Sequence, residues 1–481
     1  MDRLALNRFW GFGILFAACA IASVLLYQPL VLALPFGLLA GLWVAHKPFV
    51  LFYALIAAIP WSIEYNFTSS LGTDLPTEPL MLLVSFSTLC YLAYHARSRP
   101  MAGFFRSPLT VLLLLQAFWW LVTAYFSTDF TRSIKFCIAK TWYLGAFIMA
   151  PFLLFRNPKT LVRTAQVLSV SMLLLVGRTM IRHAGYRFTF ERINDSLWPN
   201  FRNHVNYSSV LVCVIPILVA AYVLAKPGWW KKALIGILLL AGVALVLSYA
   251  RGAWLALIAG GVLFWMLRRK MLLRGYLLVL LAAGLSLFLL IDNDRYMKFA
   301  HDHDTTTFHT DFSDHLQATY QFKDVSTAER FYRWIAGVRM IRHNWATGWG
   351  PQTFSQNYQR YTIPAFRTWV SDNKDQSTVH NYYLTTIIEQ GAAGLFILLV
   401  FIGYGLHAGQ RIYHESKDRL WRAAGAVAAV VLGMQCTFNA LNDLVETDKL
   451  GSLFYLAIAV LIAGEVHLRR QGEQEVTTVA P

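Results

Sequence analysis

Charged side chains are scarce in this 481-residue chain. Asp, Glu, Lys and Arg make up 14% of its residues, whereas an ordinary soluble domain carries about 25%. Apolar residues make up 57% and recur in long runs. This composition excludes a soluble globular enzyme, a disordered chain and a fibrous protein. The sequence therefore predicts a membrane protein with many spans.

Cysteine pairs and clustered positive charge are also lacking. The five cysteines form no CxxC pair, so neither a disulfide framework nor a thiolate zinc site is expected. Lys and Arg outnumber Asp and Glu by 42 to 26, which gives a formal net charge of +16. These cations are scattered between apolar runs, whereas a nucleic-acid binder gathers them on one face. We therefore expect no nucleic-acid partner.

Fourteen apolar runs approach the roughly 20 residues that a membrane-spanning helix needs. They lie at 9–27, 29–45, 48–61, 79–96, 107–126, 141–155, 160–181, 207–225, 233–249, 253–267, 275–291, 384–406, 422–440 and 449–466. Several are short, so the predicted fold class is an all-α polytopic membrane protein with 12–14 transmembrane helices. The first run is interpreted as a retained span, since no cleavage site leads from it into a polar domain.

Every second connection between the runs is short and basic, from Arg3 and Arg8 to Arg469 and Arg470. The positive-inside rule then predicts that both termini face the cytoplasm. The opposite connections face outward, and the longest of them is 292–383. The expected organisation is an N-terminal transmembrane bundle at 1–291, a large external loop at 292–383, C-terminal transmembrane helices at 384–467 and a cytoplasmic tail at 468–481.

A helix is predicted inside the large loop. Ser326-Thr327-Ala328-Glu329 fits a capping box, in which the serine hydroxyl and the glutamate carboxylate each bind a free backbone amide. Apolar residues follow at helical spacing. Asn344 and Gly348 would end the helix.

The outward connections should be poor in Lys and Arg, yet they carry many. These include Arg132, Lys135, Lys140, Arg187, Arg192, Arg202, Arg251, Arg330, Arg333, Arg339 and Arg342. Arg251 is confined to a three-residue hairpin between two apolar runs, where a cation is costly unless it is paired or reaches water. Alone, it is well explained by an ion pair with Glu389 or Asp443. Together, these cations favour a site for a lipid-linked phosphate or pyrophosphate, because guanidinium groups bind phosphate oxygens bidentately.

His380 lies just before the run at 384–406, near the start of a membrane helix. The helix dipole there disfavours imidazolium and lowers the histidine pKa, which suits a general base. A histidine bound only to nearby backbone is the alternative. Glu389 lies nine residues after His380, so on an α-helix the two side chains would point about half a turn apart. We therefore expect Glu389 to be a structural partner of an arginine.

Eight residues of metal-ligand type lie between His301 and His315. Their spacing matches no regular coordination pattern. A solvated insertion is the favoured interpretation, and no metal is assigned.

The chain resembles the O-antigen ligase/polymerase-like superfamily of bacterial inner-membrane proteins. Three stretches carry the resemblance. They are Ser248-Tyr249-Ala250-Arg251-Gly252-Ala253, the segment from Glu329 through Arg330 and Arg333 to Gly350, and His380-Asn381 with Glu389, Gly391 and Gly394. Phe201-Arg202-Asn203-His204-Val205-Asn206 resembles an asparagine-bearing loop of the family.

The resemblance implies glycosyl transfer at the periplasmic face of the inner membrane. The donor would be a glycan on undecaprenyl pyrophosphate, and a ligase would attach it to a sugar hydroxyl of lipid A–core. By position, Arg251 and Arg330 would hold the pyrophosphate and His380 would activate the acceptor hydroxyl. Further candidates for contact with the pyrophosphate or the glycan are Arg202, Asn203, Arg333, Asn381 and Lys135. Family members are metal-independent, inverting transferases, so no cofactor is expected, and we expect a monomer.

Other functions remain open. An O-antigen polymerase would use the same donor with a second donor-linked glycan as acceptor, and a protein O-oligosaccharyltransferase would modify a protein. A transporter of an anionic lipid-linked glycan would also need a cationic cavity. The sequence shows no internal repeat of the kind that many transporters carry, which disfavours transport.

Overall fold

The computed structural model describes residues 3–25, 35, 48–66, 72–98, 101–291, 325–364, 371 and 378–479. Sixteen helices and one small hairpin occur in these ranges. In chain order they are α1 Arg3–Leu25, α2 Pro48–Ala58, β1 Ile63–Asn66, β2 Gly72–Leu75, α3 Thr77–Tyr94, α4 Pro108–Tyr125, α5 Phe130–Leu154, α6 Pro158–Gly185, α7 Ile193–Leu197, α8 His204–Leu224, α9 Trp229–Val246, α10 Arg251–Arg268, α11 Leu272–Ile291, α12 Val325–His343, α13 Phe354–Asn357, α14 Tyr382–Glu415, α15 Arg419–Asn439 and α16 Asp448–Val479.

Ten of the helices in the described ranges are long and apolar enough to cross a membrane. They are α4, α5, α6, α8, α9, α10, α11, α14, α15 and α16. The protein is therefore a helical, multi-pass membrane protein. Of the other four predicted runs, 9–27 lies mostly in α1 and 48–61 begins with α2, with apolar stretches of only Trp10–Ser23 and Phe49–Trp61. The run 79–96 lies mostly in the 18-residue helix α3, and 29–45, apart from residue 35, lies outside the described residues.

Helix packing sets which spans are central. Almost all of the apolar stretch of α16 is buried (94%), whereas only 6% of α11 is, so α16 lies at the centre and α11 at the periphery. Helices α14 and α15 approach closely through glycine. A β-carbon on Gly409 would lie 2.5 Å from Ala429 Cβ, and one on Gly425 would lie 2.6 Å from Ile412 Cγ2. Such small residues let membrane helices pack backbone against backbone.

Asn and Asp side chains fix the starts of several helices by accepting a hydrogen bond from a backbone amide. The caps are Asp129 for α5, Asn157 for α6, Asn203 for α8, Asn381 for α14 and Asp418 for α15. The predicted helix in the large loop is confirmed as α12, which ends at His343, directly before Asn344. The helix begins at Val325, one residue before Ser326 of the predicted capping box, whose side chain lies outside the described part of the chain. The Glu329 carboxylate accepts a hydrogen bond from Arg333 Nη2, at 3.2 Å.

The connections after α2, α4, α6, α9, α12 and α15 meet at one end of the bundle, called the site end below. The contacts that join them are Lys449 with the carbonyls of Ser62 and Asn200, Arg202 with Glu64, Thr128 N with Trp349 O, Tyr249 Oη with Phe188 O, and Asn381 Nδ2 with Ala440 O. At the opposite end, His414 bonds Leu267 O and Gln410 bonds Leu272 N. This grouping matches the predicted alternation of connections along the chain.

Helix α14 is broken near its start, at Gly391, where φ is +70°. The segment that follows α12 fills the break. Trp349 N donates to Ile388 O, Gly350 N donates to Glu389 O, and Ala392 N donates to Trp345 O, all at 2.8 or 2.9 Å. A break inside a membrane is tolerated when its backbone groups find partners in the protein. The loop and the first turns of α14 therefore form one hydrogen-bonded unit.

Candidate active site

His380 lies immediately before the cap residue Asn381, in a short loop at the site end. Its backbone has φ +55°, a left-handed conformation that is uncommon outside glycine but enriched in histidine. Helix α12 holds the loop from one side. Trp334 Nε1 donates to Val379 O at 2.9 Å, and Arg333 Nη1 donates to Thr378 O at 3.2 Å. The position of the imidazole therefore depends on α12.

A carboxylate from a distant connection faces this histidine. His380 Nδ1 lies 3.9 Å from Asp443 Oδ1. Burial raises the pKa of Asp443, and a hydrogen bond with Thr378 opposes that rise. Asp443 therefore forms one wall of the histidine site, with Nδ1 of the imidazole turned toward it.

The pKa of His380 is lowered to about 4, chiefly by burial and in part by the nearby Arg333 and Arg330, while Glu329 acts in the opposite direction. The expected lowering is confirmed, although its main cause is burial rather than the helix dipole. The imidazole is therefore neutral at pH 7 and retains a lone pair. A neutral imidazole can accept a proton from a bound hydroxyl group.

Arg330 and Arg333 both lie within electrostatic reach of His380. The Arg333 guanidinium is buried and binds Glu329 at 3.2 Å in addition to Thr378 O. Glu329 Oε1 also accepts from Ser371. Arg333 is thus occupied by a buried network behind the imidazole. Arg330 is half-buried on the same helix.

Glu389 does not have the role predicted for it. Its carboxylate accepts the backbone amides of Gln352, at 2.8 Å, and Phe354, at 3.2 Å. Within the described part of the chain, its hydrogen-bond partners are thus backbone amides rather than an arginine. The physical reason is the break at Gly391, since the inserted loop brings free amides to a buried carboxylate. Glu389 stabilises the unit that carries the site.

Arg251 begins α10 at the site end. The next residue, Gly252, faces Phe438 in the last turn of α15, and the chain continues from there to Asp443. The preceding Tyr249 has φ +56°, and its hydroxyl donates to Phe188 O at 2.6 Å. The hairpin that carries Arg251 is therefore anchored beside the connection between α15 and α16, which contains Asp443.

The other predicted residues occupy several positions at the site end. Asn203 and Asn381 cap helices with their Oδ1 atoms, and Asn381 Nδ2 donates to Ala440 O. Arg202 is exposed and pairs with Glu64. Lys135 is exposed on the second turn of α5. The structure thus gives both asparagines backbone partners and places Arg202 beside the β-hairpin.

Sequence reasoning missed the buried cation Lys449, and it counted Lys140 among the outward cations without expecting its burial. Lys140 pairs with Glu446 at 2.7 Å, and Lys449 Nζ donates to Ser62 O at 2.7 Å. The signal that could have indicated these cations is the Asp443–Lys449 stretch, where acidic and basic residues lie between two apolar runs. The histidine and aspartate cluster between 301 and 315 lies outside the described residues. Among the residues that are described, no group of three or more His, Cys, Asp or Glu side chains is arranged to hold a metal ion.

A half-buried histidine with a lowered pKa, near Arg330 and Arg333, thus lies at one end of a many-span helical bundle. Residues 235–399 match the family model described as O-Antigen ligase (Wzy_C). The matched segment contains Arg251, Arg330 and His380. A comparison with curated proteins gives no match.

Proposed function

We propose that the protein is an O-antigen ligase. It transfers a glycan from undecaprenyl pyrophosphate to a sugar hydroxyl of lipid A–core during lipopolysaccharide assembly. The observation that supports this most is the neutral imidazole of His380 beside Arg330, inside a segment of the O-antigen ligase family. The site end faces the periplasm in this proposal, with both termini in the cytoplasm.

The donor pyrophosphate binds Arg251 and Arg330 in this proposal. Both belong to the family segment, and both lie at the site end. Preorganised guanidinium groups in a water-poor site stabilise the charge that develops on the leaving pyrophosphate. The bond between the anomeric carbon and the pyrophosphate oxygen breaks, and its electron pair leaves with the phosphate.

His380 activates the acceptor. The acceptor hydroxyl oxygen attacks the anomeric carbon from the side opposite to the pyrophosphate, which inverts the configuration there. Its proton passes to Nε2 of His380, because Nδ1 is turned toward Asp443. The resulting imidazolium is stabilised by the Asp443 carboxylate and by the nearby pyrophosphate.

Arg333 has a positioning role in this proposal. Its guanidinium is already bound by Glu329 and the Thr378 carbonyl, so it fixes the His380 loop and keeps the imidazole neutral. Donor binding is assigned to Arg330, as the resemblance to the family implies. Asn203 and Asn381 are assigned to positioning as helix caps, and Lys135 remains a candidate contact for the donor.

The direct test is reconstitution of the purified protein in liposomes with a purified lipid-pyrophosphate donor. One reaction contains rough lipopolysaccharide as acceptor, and the other contains only a second portion of donor. We expect glycan transfer to the lipopolysaccharide, with inverted anomeric configuration by NMR. Chain extension on the donor alone would instead identify an O-antigen polymerase, and transfer in neither reaction would contradict both.

A further inference from the structure

A large polar cavity lies beside the histidine site. Its volume is about 790 Å³, within the size range of small-molecule binding sites. The hairpin β1–β2, the start of α3, the loop before α8 and the start of α16 enclose it. No role follows for this cavity from the mechanism above.

The cations of the cavity are already occupied. Its lining includes Lys140, Arg202 and Lys449. Lys140 pairs with Glu446, Arg202 pairs with Glu64, and Lys449 donates to two backbone carbonyls. The lining has more carboxylates than cations, with Asp74, Glu78 and Asp448 present besides the two paired glutamates. A pyrophosphate is therefore unsuited to this cavity.

The remaining lining suits hydroxyl groups. Asp74 and Glu78 project from the hairpin and the first turn of α3, and carboxylates accept hydrogen bonds from hydroxyls. Burial raises the pKa of Asp74 to about 7, with Asp448 and Glu78 contributing. The side chain is thus present in both forms near neutral pH, and its protonated form also donates. Trp198, which is 62% exposed, also lines the cavity.

The cavity and the histidine site share a wall. The short helical turn Leu444–Glu446 follows Asp443 directly. Asp443 faces His380, whereas Leu444 and Glu446 line the cavity. The two residues Asp443 and Glu446 are separated by about 6 Å along such a turn. The cavity and the histidine site are therefore neighbours on either side of this turn.

We propose that this cavity binds a neutral, hydroxyl-rich sugar ring of the acceptor, held by Asp74 and Glu78 and stacked on Trp198. This inference rests on the proposed function and deepens it, because it separates an acidic acceptor subsite from the cationic donor site. Arg202 then contributes to the acceptor subsite through its pair with Glu64.

Direct binding tests the cavity without relying on transfer. The probe is the core oligosaccharide released from rough lipopolysaccharide by removal of its lipid, titrated into the purified full-length protein by calorimetry. We expect Asp74→Asn and Trp198→Leu each to weaken binding about tenfold. Glu415→Gln, an acidic position at the opposite end that pairs with Arg411, is the matched control and should bind as wild type does. Wild-type protein that does not bind the oligosaccharide would overturn the proposal, as would variants that bind it normally.

Steady-state transfer separates this proposal from the proposed function. In the cavity variants we expect the KM for rough lipopolysaccharide to rise about tenfold, with the KM for the lipid-pyrophosphate donor unchanged. A rise in the donor KM alone would assign the cavity to the donor and overturn the proposal. Oligosaccharide binding that depends on Asp74 and Trp198, in a wild-type protein without transfer activity, would support the sugar site while contradicting the ligase function.

Discussion

His380 experiences opposing effects from its neighbours. Burial, Arg333 and Arg330 favour the neutral imidazole, whereas Glu329 favours the protonated form. A base kept neutral in this way is ready to accept a proton but holds it weakly. The bound donor changes this balance, because its negative charge offsets the two arginines and stabilises imidazolium. The basicity of the histidine is therefore expected to rise when the donor binds.

The pH dependence of transfer tests that expectation. The neutral form exists above the pKa, so kcat/KM should be level near neutral pH and fall as the pH drops through about 4. The acid limb of kcat, which reports the enzyme–substrate complex, should lie at higher pH. Initial rates in liposomes across the acid range measure both limbs. Coincident limbs would contradict the proposed effect of the donor on His380.

Removing the charge of Arg330 should weaken transition-state stabilisation. We expect Arg330→Gln to lower kcat by about 10²- to 10³-fold and to shift the acid limb of kcat/KM upward, since Arg330 lowers the His380 pKa. Arg330→Lys should recover part of the rate. Arg360→Gln, at an exposed arginine in the same connection, is the control. Rates within twofold of wild type for Arg330→Gln would refute donor binding by this residue.

Some of these residues could be predicted from the sequence and others could not. Arg251, Arg330 and His380 stand out because they break the charge rule for membrane connections or open a membrane helix. The position of Asp443 beside His380 depends on how α15 and α16 pack against α14, which no local pattern encodes.

Among the elements, the broken helix α14 is the one that organises the site. Gly391 has φ +70°, and a β-carbon there would lie 2.1 Å from Ala346 O. Gly348, with φ +72°, meets the backbone of Glu389 and Gln390 at 2.5 to 2.6 Å in the same way. The glycines therefore let two backbones come into direct contact, and Trp119 Nε1 satisfies the Gln390 carbonyl at 2.8 Å.

Substitution of this glycine should destabilise the site. Gly391→Ala combines a backbone conformation that is essentially limited to glycine (φ +70°, ψ −176°), at a cost of about 1–3 kcal/mol for other residues, with a backbone clash. We expect a lower Tm in detergent and loss of transfer. Gly177→Ala, in α6, where a β-carbon meets nothing within 4 Å, should have an unchanged or higher Tm. Equal Tm values for the two variants would contradict the close contact at Gly391.

The helices that could be predicted from the sequence are those marked by a long apolar run. The ten long apolar helices in the described ranges coincide with predicted runs, as does the helix α12 of the loop. The hairpin β1–β2 was not predicted, because each strand has four residues with little burial and no alternating pattern. The role of Glu389 depends on a loop inserted into a helix break, a tertiary feature.

At the scale of the whole molecule, the two ends of the bundle differ in chemistry. The site end holds His380, Arg251, Arg330 and the acidic cavity, whereas the opposite end carries short connections such as Ala225–Gly228. The charge pattern of the sequence predicts which end faces the periplasm. The packing confirms that alternate connections share an end, and the orientation in the membrane stays a prediction.

Labelling of single cysteines tests that orientation. Arg360→Cys reports the site end and Lys226→Cys the opposite end, in a protein whose exposed native Cys90 is replaced by serine. In intact spheroplasts, a membrane-impermeant maleimide should label the first variant and not the second, and inverted vesicles should give the reverse pattern. The opposite result would place the site end in the cytoplasm and contradict a periplasmic reaction.

The central claim is that His380 is the base in glycan transfer from a lipid pyrophosphate. It is tested most directly by the initial rate of transfer to rough lipopolysaccharide for His380→Ala in liposomes, with His95→Ala at the opposite end as control. We predict a loss of about 10²- to 10⁴-fold for His380→Ala, with unchanged donor binding and a wild-type rate for His95→Ala. Transfer by His380→Ala at the wild-type rate would contradict the account.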